Sequence, residues 1–129
     1  MEQETLVLDG GPLSGPQVVG VARKGITVEI GEHALSLMTA AHEIVEETLK
    51  SNTSIYGINT GFGALSTTNI SQEKLVNLQM NILRSHAACV GDPLDTETVR
   101  GMMLLLAASI CRGHSGPRPI VAQTIVDML

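Results

Sequence analysis

Apolar positions return along this chain at helical spacing in four stretches, and the gaps between them carry the turn-forming residues. Between residues 31 and 51, Ala34, Leu37, Met38, Ala41, Ile44, Val45 and Leu49 recur every three or four positions, with Glu43, Glu46, Glu47 and Lys50 on other faces. An amphipathic helix from Gly31 to Ser51 is predicted. Leu75, Leu78, Ile82 and Leu83 predict a second helix that starts after Ser71 as N-cap, runs to about Cys89 and is broken by "GDPLD". Asp95 suits the N-cap of a third helix carrying Val99, Met102, Met103, Leu106 and Ile110. Its centre is apolar all round, the pattern of a helix buried on every side, so more chain or other subunits are expected to cover it. "GHSGPRP" ends that helix, with Ser115 expected to cap a fourth that starts at Ile120 and reaches Leu129.

The remaining segments lack this period. Residues 1–30 alternate short apolar runs ("TLVLDG", "QVVGVA", "ITVEI") with Gly and Pro, which predicts short strands, turns and one helical turn, a lead-in and not a core. "NTSIYGINTGFGALSTTNIS" predicts a loop over 52–71, and a loop of about twenty residues is usually functional or disordered. The fold class expected is mainly α, in a single unit over 1–129 with strands or turns at its start.

Composition sharpens this picture. Hydrophobic residues make up 43% of the chain and aromatics 2%, so the core must be built from Leu, Ile, Val, Met and Ala, which suits helices packed on helices. Eight scattered Lys and Arg and a net charge of −5 supply no basic stripe for a phosphate backbone, which argues against nucleic acid as a partner. The acidic start "MEQETLVLDGG" does not read as a signal peptide, and "GMMLLLAASIC" is too short to cross a bilayer. A cytoplasmic protein with no membrane partner is expected. Cys89 and Cys111 form no CxxC pair or disulfide framework and read as reduced thiols. His33, His42 and His114 have no helically spaced His, Cys or carboxylate partner, so no metal is assigned.

Both aromatic side chains, Tyr56 and Phe62, fall in "YGINTGFG". Its glycines match neither GxGxxG nor GxxxxGK[ST], and no Lys is present to neutralise a phosphate. Two readings stay open: a surface Ω-loop anchored by its rings, or a mobile lid presenting the Tyr56 phenol as an acid or base. His86 follows Leu75, Leu78 and Ile82 at helical spacing, where a satisfied core histidine is the plain expectation. Ser115 beside His114 is a sequence neighbour and not a catalytic pair, and no GxSxG elbow is present.

Three segments in order, "YGINTGFG", "LQMNILRSHAACVGDPL" and "RGHSGPR", resemble the N-terminal region of the aromatic amino acid ammonia-lyases and 2,3-aminomutases over residues 5–129. The resemblance implies a lyase or aminomutase acting on a small aromatic amino acid, in a homotetramer or similar homo-oligomer whose sites are built from several subunits. It makes Tyr56 the loop base, with a phenol that must be shifted down from about 10 to work. It places Gly63 against the substrate, and Ser85 and His86 at the positions that sort the ring. A Ser-His pair fits polar rings, histidine or tyrosine, in lyases or in tyrosine aminomutases. The implied cofactor is 4-methylideneimidazole-5-one, formed from an internal Ala-Ser-Gly, and that triad is absent from these 129 residues. The chain alone is therefore expected to be inactive, as the N-terminal fragment of a larger enzyme. Leu106 and Ala108 stand where the family usually carries Arg and Asn, which also admits a catalytically dead helical assembly module. Pro117 and Pro119 depart from the family pattern too, but prolines in a first helical turn are tolerated.

Overall fold

The computed structural model describes residues 4–51, 54–63 and 70–129, with the side chain of Gln72 excepted. Residues 52–53 and 64–69 of the expected loop lie outside these. The described residues form β1 (Thr5–Leu8), α1 (Gly15–Lys24), β2 (Thr27–Ile30), α2 (Glu32–Lys50), α3 (Gln72–His86), α4 (Thr96–Cys111) and α5 (Pro119–Asp127). The mainly helical class holds. Chain packing divides them into two compact units, one of residues 1–44 and 93–129, the other of residues 45–92.

In the first unit β1 and β2 pair in parallel, Leu6 opposite Val28 and Leu8 opposite Ile30. A parallel pair needs a crossover, and α1 supplies it. This helix starts with Pro16 in its first turn, where a missing N–H costs nothing, while the Gln17 side chain accepts from the Ser14 N–H at 2.8 Å. It stops at Gly25, whose φ of 66° is open to glycine at no steric cost.

The lead-in expectation for residues 1–30 is corrected here. Leu6, Leu8 and Val21 are buried with Ala34, Met38, Leu104, Ala107, Ile110, Cys111, Ala122, Ile125 and Val126 in one apolar cluster. Four-residue strands are too short for alternation to stand out in sequence, yet β1 does alternate, exposing Thr5 and Val7 and burying Leu6 and Leu8. Around this cluster α1 packs on α4, α4 on α5, and α5 against β2. Arg100 ties the layers: its Nε and Nη2 donate to the Val21 carbonyl at 3.1 and 3.0 Å, and its Nη1 to the Leu129 carbonyl.

Helix α4 is not covered on every side. Leu104, Ala107, Ile110 and Cys111 are buried, but Met102, Leu105 and Leu106 are more than half exposed. Packing in this unit engages one stripe of the helix, so the apolar residues opposite are left at the surface. Asp95 caps α4 as expected, accepting from the Thr98 N–H at 2.8 Å. Ser115 does not cap α5, whose N-cap is Arg118. Pro119 opens that helix with its φ already helical, and Gly113 and Gly116, both at φ 70°, turn the chain before it.

Candidate functional site

All four candidate residues belong to the second unit. Tyr56 sits in a tight turn: the Ile58 N–H donates to the Ile55 carbonyl at 3.1 Å, and Gly57 between them has φ 81°. A positive φ at the third of four turn residues is the type II signature, which glycine satisfies without strain. Tyr56 thus takes the second position, the outer corner. The residue is 62% exposed, and its ring meets that of Phe62 edge-on, with centroids 5.8 Å apart at 67°. That geometry is favoured between aromatic quadrupoles. Gly63, at φ 57°, has no atom of the described residues within 4 Å of where a Cβ would stand. The chain there is bare enough for another molecule to lie against its backbone.

Behind the turn two polar residues are buried, Asn59 at 5% and Thr60 at 1% exposure. The Thr60 hydroxyl donates to the Gly61 carbonyl at 3.0 Å. Asn59 went unrecognised in the sequence except as one turn former among several. Its signal was a residue type that bonds to nearby backbone, which many surface loops share.

Ser85 and His86 close α3, and both are exposed. A core histidine on the apolar face is thus corrected: α3 ends at His86, before the expected Cys89, and no described residue of this helix is buried, so its apolar face offers no core for the ring. The Ser85 hydroxyl donates to the Ile82 carbonyl at 2.9 Å, and His86 Nδ1 lies 2.9 Å from the same oxygen and 3.0 Å from Ser85 Oγ. A carbonyl can only accept, so Nδ1 carries the proton in that contact. In that tautomer Nε2 is the acceptor, suited to a phenol O–H or an imidazole N–H. These contacts join Ser85 to His86 and Tyr56 to Phe62, two separate pairs. Among the described residues no three His, Cys, Asp or Glu side chains group as a metal site. No helix among them is long and apolar enough to cross a membrane.

The same fold recurs in solved structures of an ammonia-lyase and an aminomutase. Histidine ammonia-lyase from Trypanosoma cruzi superposes with a TM-score of 0.83 at 37% identity, over 95% of this chain and 23% of its own. Tyrosine aminomutase from Streptomyces globisporus gives 0.88 at 29% identity, over 95% and 23%. Fold and motifs therefore define an ammonia-lyase or aminomutase segment. The sequence profile of the aromatic amino acid lyases matches residues 13–129, and the chain belongs to that family. A curated relative, histidine ammonia-lyase of Streptomyces avermitilis, is 42% identical over 125 residues, which is 97% of this chain and 24% of the relative. The chain thus spans about a quarter of the length of the curated relatives it matches.

Proposed function

We propose that residues 1–129 form the N-terminal domain of a cytoplasmic, homotetrameric ammonia-lyase that eliminates ammonia from a polar aromatic amino acid, histidine or tyrosine. The observation that carries this reading is the ordered trio of segments, in a chain 42% identical to a protein named histidine ammonia-lyase. Tyr56, as phenolate, takes the β-proton; the C–H electron pair becomes the new C=C bond, and the C–N pair leaves with the nitrogen. The open backbone at Gly63 leaves room for the substrate. Ser85 and His86 meet the ring, and the Nε2 lone pair accepts from its N–H or O–H, a preference a purely apolar ring cannot satisfy.

The family's 4-methylideneimidazole-5-one electrophile, which activates the substrate, is made from Ala-Ser-Gly. These 129 residues contain no such triad and so cannot form the group. The isolated chain is expected to show no turnover of histidine or tyrosine. Joining it to a triad-bearing continuation should produce the absorbance of an α,β-unsaturated acid, and Tyr56→Phe should abolish that signal. Turnover by the isolated chain, or by the Tyr56→Phe enzyme, would overturn the reading. The likeness to a tyrosine aminomutase supports a second reading, migration of the amine to the β-carbon. Chromatography of the products separates a β-amino acid from the unsaturated acid.

A further inference from the structure

We propose that Asn59 is the positioning residue for Tyr56, a latch whose buried side chain fixes the turn that carries the phenol. The inference rests on the reading of Tyr56 as the base only for its catalytic consequence. The geometry behind it is independent of that reading.

Asn59 engages the turn from three sides. Its Oδ1 accepts from the Ile55 N–H at 2.8 Å, its own N–H donates to the Ile55 carbonyl at 3.3 Å, and its carbonyl accepts from the Ile70 N–H at 2.9 Å. Ile55 directly precedes Tyr56, so both backbone groups of the residue entering the turn are held by one asparagine. The third bond joins the turn to the residue just ahead of α3. At 5% exposure Asn59 is shielded from water, so nothing replaces a lost acceptor cheaply. Tyr56, by contrast, is largely exposed, and among the described residues its aromatic contact is with Phe62. Phenol placement is therefore set by the backbone beneath it, and that backbone is closed by Asn59. An aspartate keeps an acceptor oxygen at the same place, whereas an alanine removes it.

The chain provides its own probe. Tyr56 is the single tyrosine and there is no tryptophan, so the near-ultraviolet circular dichroism of the tyrosine band reports this one ring. Asn59→Ala in the full 129-residue chain is expected to remove that band and at least double iodide quenching of tyrosine fluorescence, with far-ultraviolet helicity kept. Asn59→Asp is expected to retain the band. Leu78→Ala, a truncation within α3 and outside the turn itself, is the control and should also retain it. In the enzyme carrying the Ala-Ser-Gly triad, Asn59→Ala should lower kcat about 100-fold with little change in KM, the usual cost of misplacing a reacting group by about 1 Å. Asn59→Asp should recover most of that loss.

An unchanged tyrosine band in Asn59→Ala, or equal loss of it in Leu78→Ala, would overturn the proposal. Failure of the base assignment looks different. Turnover retained by Tyr56→Phe, with the ring still released by Asn59→Ala, sinks the base role and leaves the latch standing.

Discussion

Gly113 marks a close approach of two backbones in the first unit, and its replacement by alanine should be costly. A Cβ built at Gly113 would stand 2.7 Å from the Leu37 carbonyl oxygen and 2.8 Å from the carbonyl carbon. Real Cβ atoms do not approach backbone so closely, and the obstacle is α2 itself, so no rotamer change relieves it. Overpacking of this kind costs about 1–3 kcal/mol. The residue also has φ 70°, where an L side chain adds about 1–2 kcal/mol. Together they predict a loss of about 2–5 kcal/mol. Gly25 is the matched control, with φ 66° and nothing within 4 Å of its Cβ site, so Gly25→Ala should cost only the conformational part, about 1–2 kcal/mol. The stiffening of the unfolded chain is the same in both variants and cancels in the difference. Urea unfolding followed by far-ultraviolet circular dichroism measures both. Equal destabilisation of the two would refute the claim that Leu37 blocks the site.

Asp95 supplies a pH dependence. The Thr98 N–H, and after it the Thr98 hydroxyl, hold its carboxyl below the usual carboxylate range. A folded value lowered in this way contributes stability above the ordinary value and loses it as pH falls through the lowered one. The urea midpoint should drop from about pH 6 to about pH 3, and Asp95→Asn should flatten the part due to this cap; an unchanged slope would count against it. The two thiols should also separate. Cys89 is exposed, while Cys111 is buried and burial raises its thiol pKa. A thiol reagent at neutral pH should therefore label one cysteine quickly and the other only after denaturation. Two fast reactions in the folded chain would contradict the burial of Cys111.

Most of the helices were legible because their apolar spacing and caps agree. Helix α2, expected over Gly31–Ser51, spans Glu32–Lys50, and Asp95 caps α4 as its position before the third helix implied. What sequence spacing could not carry was the tertiary role of short elements. Leu6 and Leu8 lie in a four-residue strand whose burial depends on β2, some twenty positions away, and on helices later still. For α4, hydropathy marks which faces can be buried and the neighbours decide which are, so Met102, Leu105 and Leu106 stay exposed here. At the site, Tyr56, Gly63, Ser85 and His86 came from motif resemblance, while Asn59 escaped. Its side chain acts on backbone groups, and these leave no trace in residue pattern.

The same distinction separates the parts of "RGHSGPR". Gly113 lets the end of α4 rest on Leu37, and the Gly116 carbonyl lies 3.0 Å from His42 Nδ1. Since the carbonyl only accepts, His42 must donate there, which fixes its neutral form as the Nδ1–H tautomer. Two glycines of the motif are thus spent on holding the loop after α4 to α2. His114 and Ser115 between them are exposed, and Ser115 does not cap the next helix. Part of the segment that looked like chemistry is a joint between helices, and it demands its residues for reasons of space. The turn at Tyr56 follows the same logic, with Gly57 supplying the positive φ, Asn59 the closure, and the Tyr56 side chain left exposed at its corner.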